Sequence, residues 1–595
     1  MGLLDGPLRW AGSERGLGAQ ARCNASPKAT IGCVSTGRTR RRAVAGPIGM
    51  NRMRKRFLPS GLQGLLRGLG LGLVLALLCL PVVAVLASWA ALDRESWQLL
   101  REMASTVLPD YALTTAALCL AVALGVAVLG SVTACAVSLF DFPGRRVFEW
   151  ALLLPLAMPA YVVAFAYTDF LQFSGPLQSA LRDGFGLQGR LLPDIQSLWG
   201  AMLVFTVSLY PYVYLLVRAA LTERAVHLME AARLLGAGGA RRLREVALPM
   251  ARPALAAGVG LALMETLADF GVSSYFGIQT FTAGIYKAWL VMDNRLAAAQ
   301  LATVLLLIVA ALLATEQATQ RRMRFASAGA RPGSREAQPT GLSGARAALA
   351  WALCAAPIAL GFVLPVLFMI RPLMASWGEL PWAAFARWSL NSVWLAAVTA
   401  LLATFIAVLL AYGQRRQPGG PQAWAARVVS LGYAIPGAVV VVGLLLPVGW
   451  LQAWMPHTAL GGWVTATAAG LIWAYLVRFC SVALQSIESG YARIPASLDD
   501  SARMLGATGA GLLARVHWPL LKRSAAAAAL LVFVDVMKEL PATLVLRPFN
   551  SDTLAVVTYQ LARDERLGEA ALPALALVLV GLLPVVLLSR TLRSR

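Results

Sequence analysis

The chain has 595 residues, of which 58% are hydrophobic and 14% charged, with a mean hydropathy of +0.67. That balance excludes a water-soluble globule, because too little polar surface is available to wrap one. Lys and Arg number 52 against 29 Asp and Glu, a net charge of +23, for which nucleic-acid binding and cytoplasmic loops facing anionic lipid are the competing explanations. The charges fall between long apolar runs rather than on one basic face, so no nucleic-acid partner is expected.

Residues 1–56 are rich in Gly, Arg, Ser and Ala and lack apolar periodicity, which predicts a disordered basic segment. Met50 and Met53 stand at the basic cluster Arg52, Arg54, Lys55 and Arg56, Met50 before all of it and Met53 before its last three residues, and one of them is the expected translation start. Beyond them, about twelve apolar stretches approach the roughly 20 residues that span a bilayer core. Their centres lie near Leu77, Ala123, Val162, Phe205, Leu261 and Leu306, then Leu360, Leu401, Val441, Ile472, Val532 and Val578. The predicted fold is therefore an all-α polytopic membrane protein of about twelve transmembrane helices. Six fall in a first half, 57–316, and six in a second, 346–595, joined by an Arg-, Gly- and Ser-rich linker, 317–345, expected to be cytoplasmic.

Arginine collects in alternate loops: Arg145 and Arg146, Arg224 to Arg252, Arg321 to Arg335, Arg415 and Arg416, Arg493 to Arg523, and the tail from Arg590. By the positive-inside rule those loops, and both termini, should face the cytoplasm. The halves echo each other. Ala157-Met158-Pro159-Ala160 returns as Ala434-Ile435-Pro436-Gly437 at an offset of 277 (434 − 157), the spacing that also relates Thr114 to Asn391. Leu216-Val217-Arg218 returns as Leu476-Val477-Arg478 at 260 (478 − 218). Cytoplasmic landmarks map onto cytoplasmic landmarks, so the repeat is parallel. The inverted repeat of many ion-gradient-driven secondary transporters, the competing transporter class, is not what this pattern shows.

The long loop of the first half contains Glu230-Ala231-Ala232, then Gly236, then Leu248-Pro249. At an offset of 270 (506 − 236) the second half has Asp500-Ser501-Ala502, Gly506 and Trp518-Pro519. Each segment reads as an amphipathic helix stopped by its glycine, with the proline setting re-entry into the membrane. Ser497, three residues before Asp500, has capping-box-like spacing. Small residues at Ala231, Ala232 and Ala502 allow close approach of another surface, and Glu230 or Asp500 offers a charge to hold it. An ordinary hairpin is the alternative, but two copies with one internal spacing argue against it.

This pattern resembles the EAA loop of ATP-binding-cassette (ABC) importer permeases, with Asp500-Ser501 where Glu-Ala is usual and Trp518 where Leu is usual. The resemblance implies the type I importer permease fold. It also implies that Glu230, Ala231, Ala232, Gly236, Leu248, Pro249, Asp500, Ala502, Gly506 and Pro519 form docking loops for two copies of an ATPase subunit. The five lysines include none that follows a glycine, so no phosphate-binding P-loop is present. ATP and Mg would then be used by the partner, the chain itself would bind no cofactor, and it would not be an enzyme. The seven cysteines form no C-x-x-C, and His227, His457 and His517 form no H-x-x-x-H. No resident metal site and no catalytic residue is expected, which also argues against an intramembrane hydrolase.

After each docking loop an apolar helix carries two carboxylates four residues apart, Glu265 and Asp269, then Asp535 and Glu539, with Lys538 beside the last. Charges there are tolerable toward a water-filled path or when tied up by helix ends and polar neighbours, and both explanations stay open. The first predicts a translocation path favouring a cationic cargo. Ala268-Asp269-Phe270-Gly271, Thr280 to Tyr286, Lys538 to Thr543 and Asp564-Glu565-Arg566 are similar to ferric-iron importer permeases. That resemblance implies passage of ferric iron from a periplasmic binding protein through the bacterial inner membrane. Thiamine, phosphonate or polyamine would suit the same machinery.

Overall fold

The computed structural model describes residues 60–91, 94–186, 188–223, 231–326, 340–456, 460–507 and 509–593. Segment 1–56, residues 327–339 of the linker, Glu230, His227 and His457 lie outside the described residues. The chain divides into Met1–Leu62, of which only 60–62 are described, and Gln63–Arg595.

The fold is all-α. In the first half the long helices are α1 (Ser60–Ala87), α2 (Leu108–Leu139), α3 (Ala160–Leu171), α4 (Leu198–Glu223), α5 (Leu248–Ala268) and α6 (Arg295–Ala326). The second half contains α7 (Ala345–Ile358) running on into α8 (Leu364–Ala375), α9 (Trp382–Arg416) and α10 (Gly437–Trp454). It continues with α11 (Ala468–Tyr491), the short α12 (Ala496–Met504), α13 (Trp518–Lys538) and α14 (Leu567–Arg593). Strands among the described residues are confined to Phe140–Asp141 and Thr340–Gly341, a parallel pair that ties the end of the linker to the loop after α2.

Ten helices among the described residues are long and apolar enough to cross a membrane, or eleven if Arg145–Ala157 and Ala160–Phe185, bent by 88°, make one broken span. The difference from about twelve has a chemical reason. The apolar stretch around Val532 is α13, which carries Lys522, Arg523, Asp535 and Lys538 and so is too charged to stand in lipid unaided. The 88° bend follows from Met158-Pro159. Proline has no N–H to donate and pushes the residue before it into extended backbone, and Met158 has φ −104°, ψ 126°. Ile435-Pro436 makes the same break before α10, with Ile435 at φ −77°, ψ 118°.

Side chains sort by what they touch. On α2, Leu113, Leu120, Leu124 and Val128 are exposed along one face while Leu118, Val122 and Val126 are buried, the pattern of a helix with one lipid-facing side. The opening helix of each half packs on the other half. Pro81 leaves the Leu77 carbonyl without its helical partner, and Trp473 Nε1 of α11 donates to it at 2.7 Å. In the second half a wide turn at Ala359–Val363 passes over the Leu360 carbonyl, and the Tyr167 hydroxyl of α3 donates to it at 2.7 Å. Gly443 admits the backbone of α1 so closely that a Cβ there would sit 2.0 Å from the Pro81 oxygen. The two six-helix sets are thus interlocked through proline-freed carbonyls and small residues.

Candidate functional site

Both α5 and α13 stop at their second carboxylate. Asp269 (φ −73°, ψ 134°) and Glu539 (φ −70°, ψ 121°) are extended, and short helices, Gly271–Tyr275 and Pro541–Leu546, follow. Each acid satisfies the free amides that open the next helix. Asp269 Oδ1 accepts from Val272 N–H at 2.8 Å. Glu539 accepts from the N–H groups of Ala542 and Thr543 at 2.9 and 3.0 Å and from the Thr543 hydroxyl at 2.6 Å. These two residues therefore have a structural task that the sequence left as one of two alternatives.

Where the two breaks meet lies a cavity of about 190 Å3, lined from both halves. It brings together all five charged residues singled out from the sequence: Glu265, Asp269, Asp535, Lys538 and Glu539. Glu265 accepts a hydrogen bond from the Tyr433 hydroxyl of the other half. Lys538 Nζ donates to the Leu156 carbonyl at 2.9 Å, again across the halves. Sequence reasoning missed Tyr433 and Arg478, whose Nη1 lies 3.5 Å from Glu539 Oε1 inside the same cavity. Arg478 had a signal, its recurrence with Arg218, but Arg218 instead pairs with Glu149 at 3.2 Å. Four carboxylates thus face two cations, a surplus of negative charge around a polar space in an apolar body.

The two repeated loops share a backbone. In the first, residues 231–234 are helical and Gly236 turns left-handed at φ +79°. Ala237 N–H reaches back to the Ala232 carbonyl (2.9 Å) and Gly236 N–H to that of Arg233 (3.0 Å). In the second, Gly506 (φ +82°) follows α12, Ala507 N–H donates to Ala502 (2.9 Å) and Gly506 N–H to Arg503 (2.9 Å). Both are Schellman caps, which need φ > 0 and hence glycine. Just before each glycine stand two exposed apolar side chains, Leu234 and Leu235 (89% and 87% exposed) and Met504 and Leu505 (88% and 89%). The sequence reading overlooked them, although apolar pairs ahead of a repeated glycine were there to be seen. Ser497 does not cap α12: the helix begins at Ala496 with Pro495 before it and no side-chain cap bond, since the proline already sets the entry angle.

Each loop then enters its membrane helix through a five-residue π-turn, Leu243–Ala247 and Leu513–His517. The cause is the proline two residues on. Pro249 and Pro519 cannot donate to the preceding turn and their rings crowd it, so Leu248 and Trp518 bond back five residues, to Leu243 and Leu513. Leu248 and Pro249, like Pro519, thus sit where loop becomes helix.

Among the described residues, the second loop has an additional clasp. Arg415, at the end of α9, binds Asp499 through Nε (2.8 Å) and Nη2 (3.2 Å) and donates to the carbonyls of Tyr491, Ile494 and Pro495. His517, fully buried, places Nε2 3.0 Å from Asp499 and Nδ1 3.1 Å from the Tyr491 hydroxyl. Burial pushes the Asp499 carboxyl up, but the bonds and charge of Arg415, aided by His517, outweigh it and leave the group below its ordinary value. Asp500, the acid that the sequence pattern emphasised, is exposed and among the described residues pairs with Arg503, at 3.3 Å.

Residues 126–325 match the family model described as "Binding-protein-dependent transport system inner membrane component". Over 520 residues the chain is 26% identical to the Fe(3+)-transport system permease protein FbpB 2 of Haemophilus influenzae, covering 86% of this chain and 96% of that protein. Residues 126–325 thus carry the binding-protein-dependent permease module, and the similarity to such permeases runs over most of the chain. The permease is also 24% identical over 507 residues to the Probable ABC transporter permease protein y4fN of Sinorhizobium fredii, covering 79% of this chain and 85% of that one. A shorter match, 33% over 135 residues, covers 23% of the permease and 57% of the Molybdenum transport system permease protein ModB of Escherichia coli. The permease is thus a multi-pass membrane component of an ABC importer, with the type I permease fold.

Proposed function

We propose that this chain carries ferric iron from a periplasmic binding protein across the bacterial inner membrane, driven by two copies of a separate ABC ATPase that use ATP and Mg. In this reading the halves are 57–316 and 346–595, joined by 317–345, and both termini face the cytoplasm. The acid-rich cavity between the halves is the observation that carries it: Glu265 and Asp535 reach it from matching helices, and surplus negative charge suits a cation. The near full-length similarity to a Fe(3+)-transport permease supports the same cargo.

The loops supply the mechanics. An ATPase seated on Leu234 and Leu235, and on Met504 and Leu505, holds the N-terminal ends of α5 and α13 through the turns at Gly236 and Gly506. Each helix has 21 residues and is about 30 Å long at 1.5 Å per residue. Tilting one at its loop displaces its far end, where Asp269 or Glu539 borders the cavity. Movement of the ATPase is so converted into opening on one side and closing on the other.

Uptake of labelled iron by cells with and without the chain tests the cargo. Loss of uptake on deletion, restored by the intact chain, is the expected result. Unchanged iron uptake beside reduced molybdate or phosphonate uptake would reject ferric iron and leave the importer machinery in place.

A further inference from the structure

The cavity holds a cation of its own. Glu265 and Asp535 occupy matching positions, 270 residues apart (535 − 265), and both border the space. Unlike Asp269 and Glu539, whose oxygens are committed to helix amides, Asp535 forms no hydrogen bond or ion pair among the described residues. Two hydroxyls on the same lining, Tyr161 Oη and Ser208 Oγ, belong to side chains only 4% and 3% exposed and have no partner among the described residues. Buried hydroxyls left unpaired are destabilising, so they point to a ligand that completes them.

The straps across the cavity are related by the repeat. Leu156 and Tyr433 are one position in the two halves, 277 apart (433 − 156). Tyr433 reaches Glu265, while in the mirrored place Lys538 reaches the Leu156 carbonyl. Gly581 lets the backbone of the Met158-Pro159 break approach, since a Cβ there would lie 2.0 Å from the Ala157 oxygen, and would also come within 2.8 Å of Lys538 Nζ. Arg478 is held differently, by Glu539 and over the Phe479 ring. A lysine on a flexible stem with one backbone bond is a compact charge that can swing away from its carbonyl.

We infer that the cavity is a transit subsite for a hard multivalent cation, taken between Glu265 and Asp535 with the Tyr161 and Ser208 hydroxyls as neutral donors, and that Lys538 is a built-in counter-cation which the cargo displaces. The inference rests on the reading of a cationic cargo. An all-oxygen donor set suits hard cations rather than soft ones. No group of three His, Cys, Asp or Glu close enough to chelate exists among the described residues, which fits passage rather than storage. Displacing Lys538 also releases its bond to Leu156, so loading the site loosens one half from the other.

The test is titration of the full-length chain in lipid nanodiscs with Tb3+, a redox-inert trivalent probe whose luminescence is sensitised by neighbouring tyrosines. Lys538→Met should bind roughly tenfold tighter than the parent or better, because the competing charge is gone. Lys538→Arg should stay near the parent, and the double change Glu265→Gln with Asp535→Asn should lose the signal. Equal affinity in the parent and Lys538→Met, both monodisperse and with similar unfolding midpoints, overturns displacement. A signal that persists in the double variant overturns the subsite. Failure of the cargo reading shows separately, as absent iron uptake by cells whose permease still gives the expected Tb3+ pattern.

Discussion

The two repeated loops share one turn and, among the described residues, differ in what holds them. Both end their helix in a Schellman cap at a left-handed glycine, present two exposed apolar side chains and enter the membrane helix through a π-turn. The second is also clasped by Arg415, Asp499, His517 and Tyr491. At the position matching Arg415 (415 − 277) the first half has Ser138, whose hydroxyl has no partner among the described residues, and at that matching His517 (517 − 270) it has Ala247. Both copies therefore keep the turn and the exposed apolar pair, while the residues at these two positions leave the clasp, among the described residues, to the second copy. In this account the second loop is the firmer seat for an ATPase and the first is the more yielding one.

The largest expected effect comes from cutting the clasp. Arg415→Ala leaves Asp499 buried without its cation, a loss of about 3–5 kcal/mol for a buried pair. It should appear as a lowered unfolding midpoint and faster hydrogen exchange across 496–517. Ser138→Ala should change stability by less than about 0.5 kcal/mol, and equal effects at the two positions would erase the asymmetry. His517→Ala comes next, at about 2 kcal/mol, because it opens a hole and strips a partner from both Asp499 and Tyr491. Calorimetry of the solubilised protein measures it.

Smaller and symmetric effects should follow at the shared backbone. Gly236→Ala and Gly506→Ala each force a Cβ into left-handed backbone, costing about 1–2 kcal/mol, and no neighbouring atom lies within 4 Å to add to it. A difference above about 1 kcal/mol between them would show that the loops do not share one cap. Replacing Leu234 and Leu235, or Met504 and Leu505, by Ser should leave stability within about 0.5 kcal/mol while reducing co-purification of the ATPase, more for the second pair than for the first.

Repetition made much of this legible before any coordinates. Offsets of 277 and 270 marked the Met158-Pro159 break, the loop glycines and the paired carboxylates, because a duplicated residue stands out without knowledge of its surroundings. What repetition could not reveal is where the halves differ. Arg218 and Arg478 are equivalent in sequence, yet one pairs with Glu149 and the other enters the cavity beside Glu539. Tyr433 matters only because it meets Glu265 from the opposite half. Asp499 was overshadowed by Asp500, since its weight depends on Arg415, 84 residues earlier. The charged α13, too, is acceptable in a membrane only through groups contributed by other helices.

The central claim, that the two loops are levers worked by a motor on the cytoplasmic side, is tested most directly by thiol accessibility. Single cysteines at Leu235→Cys and Leu505→Cys, probed with a membrane-impermeant maleimide, should stay unlabelled in intact spheroplasts. In inverted vesicles they should react readily and be shielded when the ATPase is bound. Labelling of either cysteine from outside intact spheroplasts, or labelling unchanged by bound ATPase, would contradict the account.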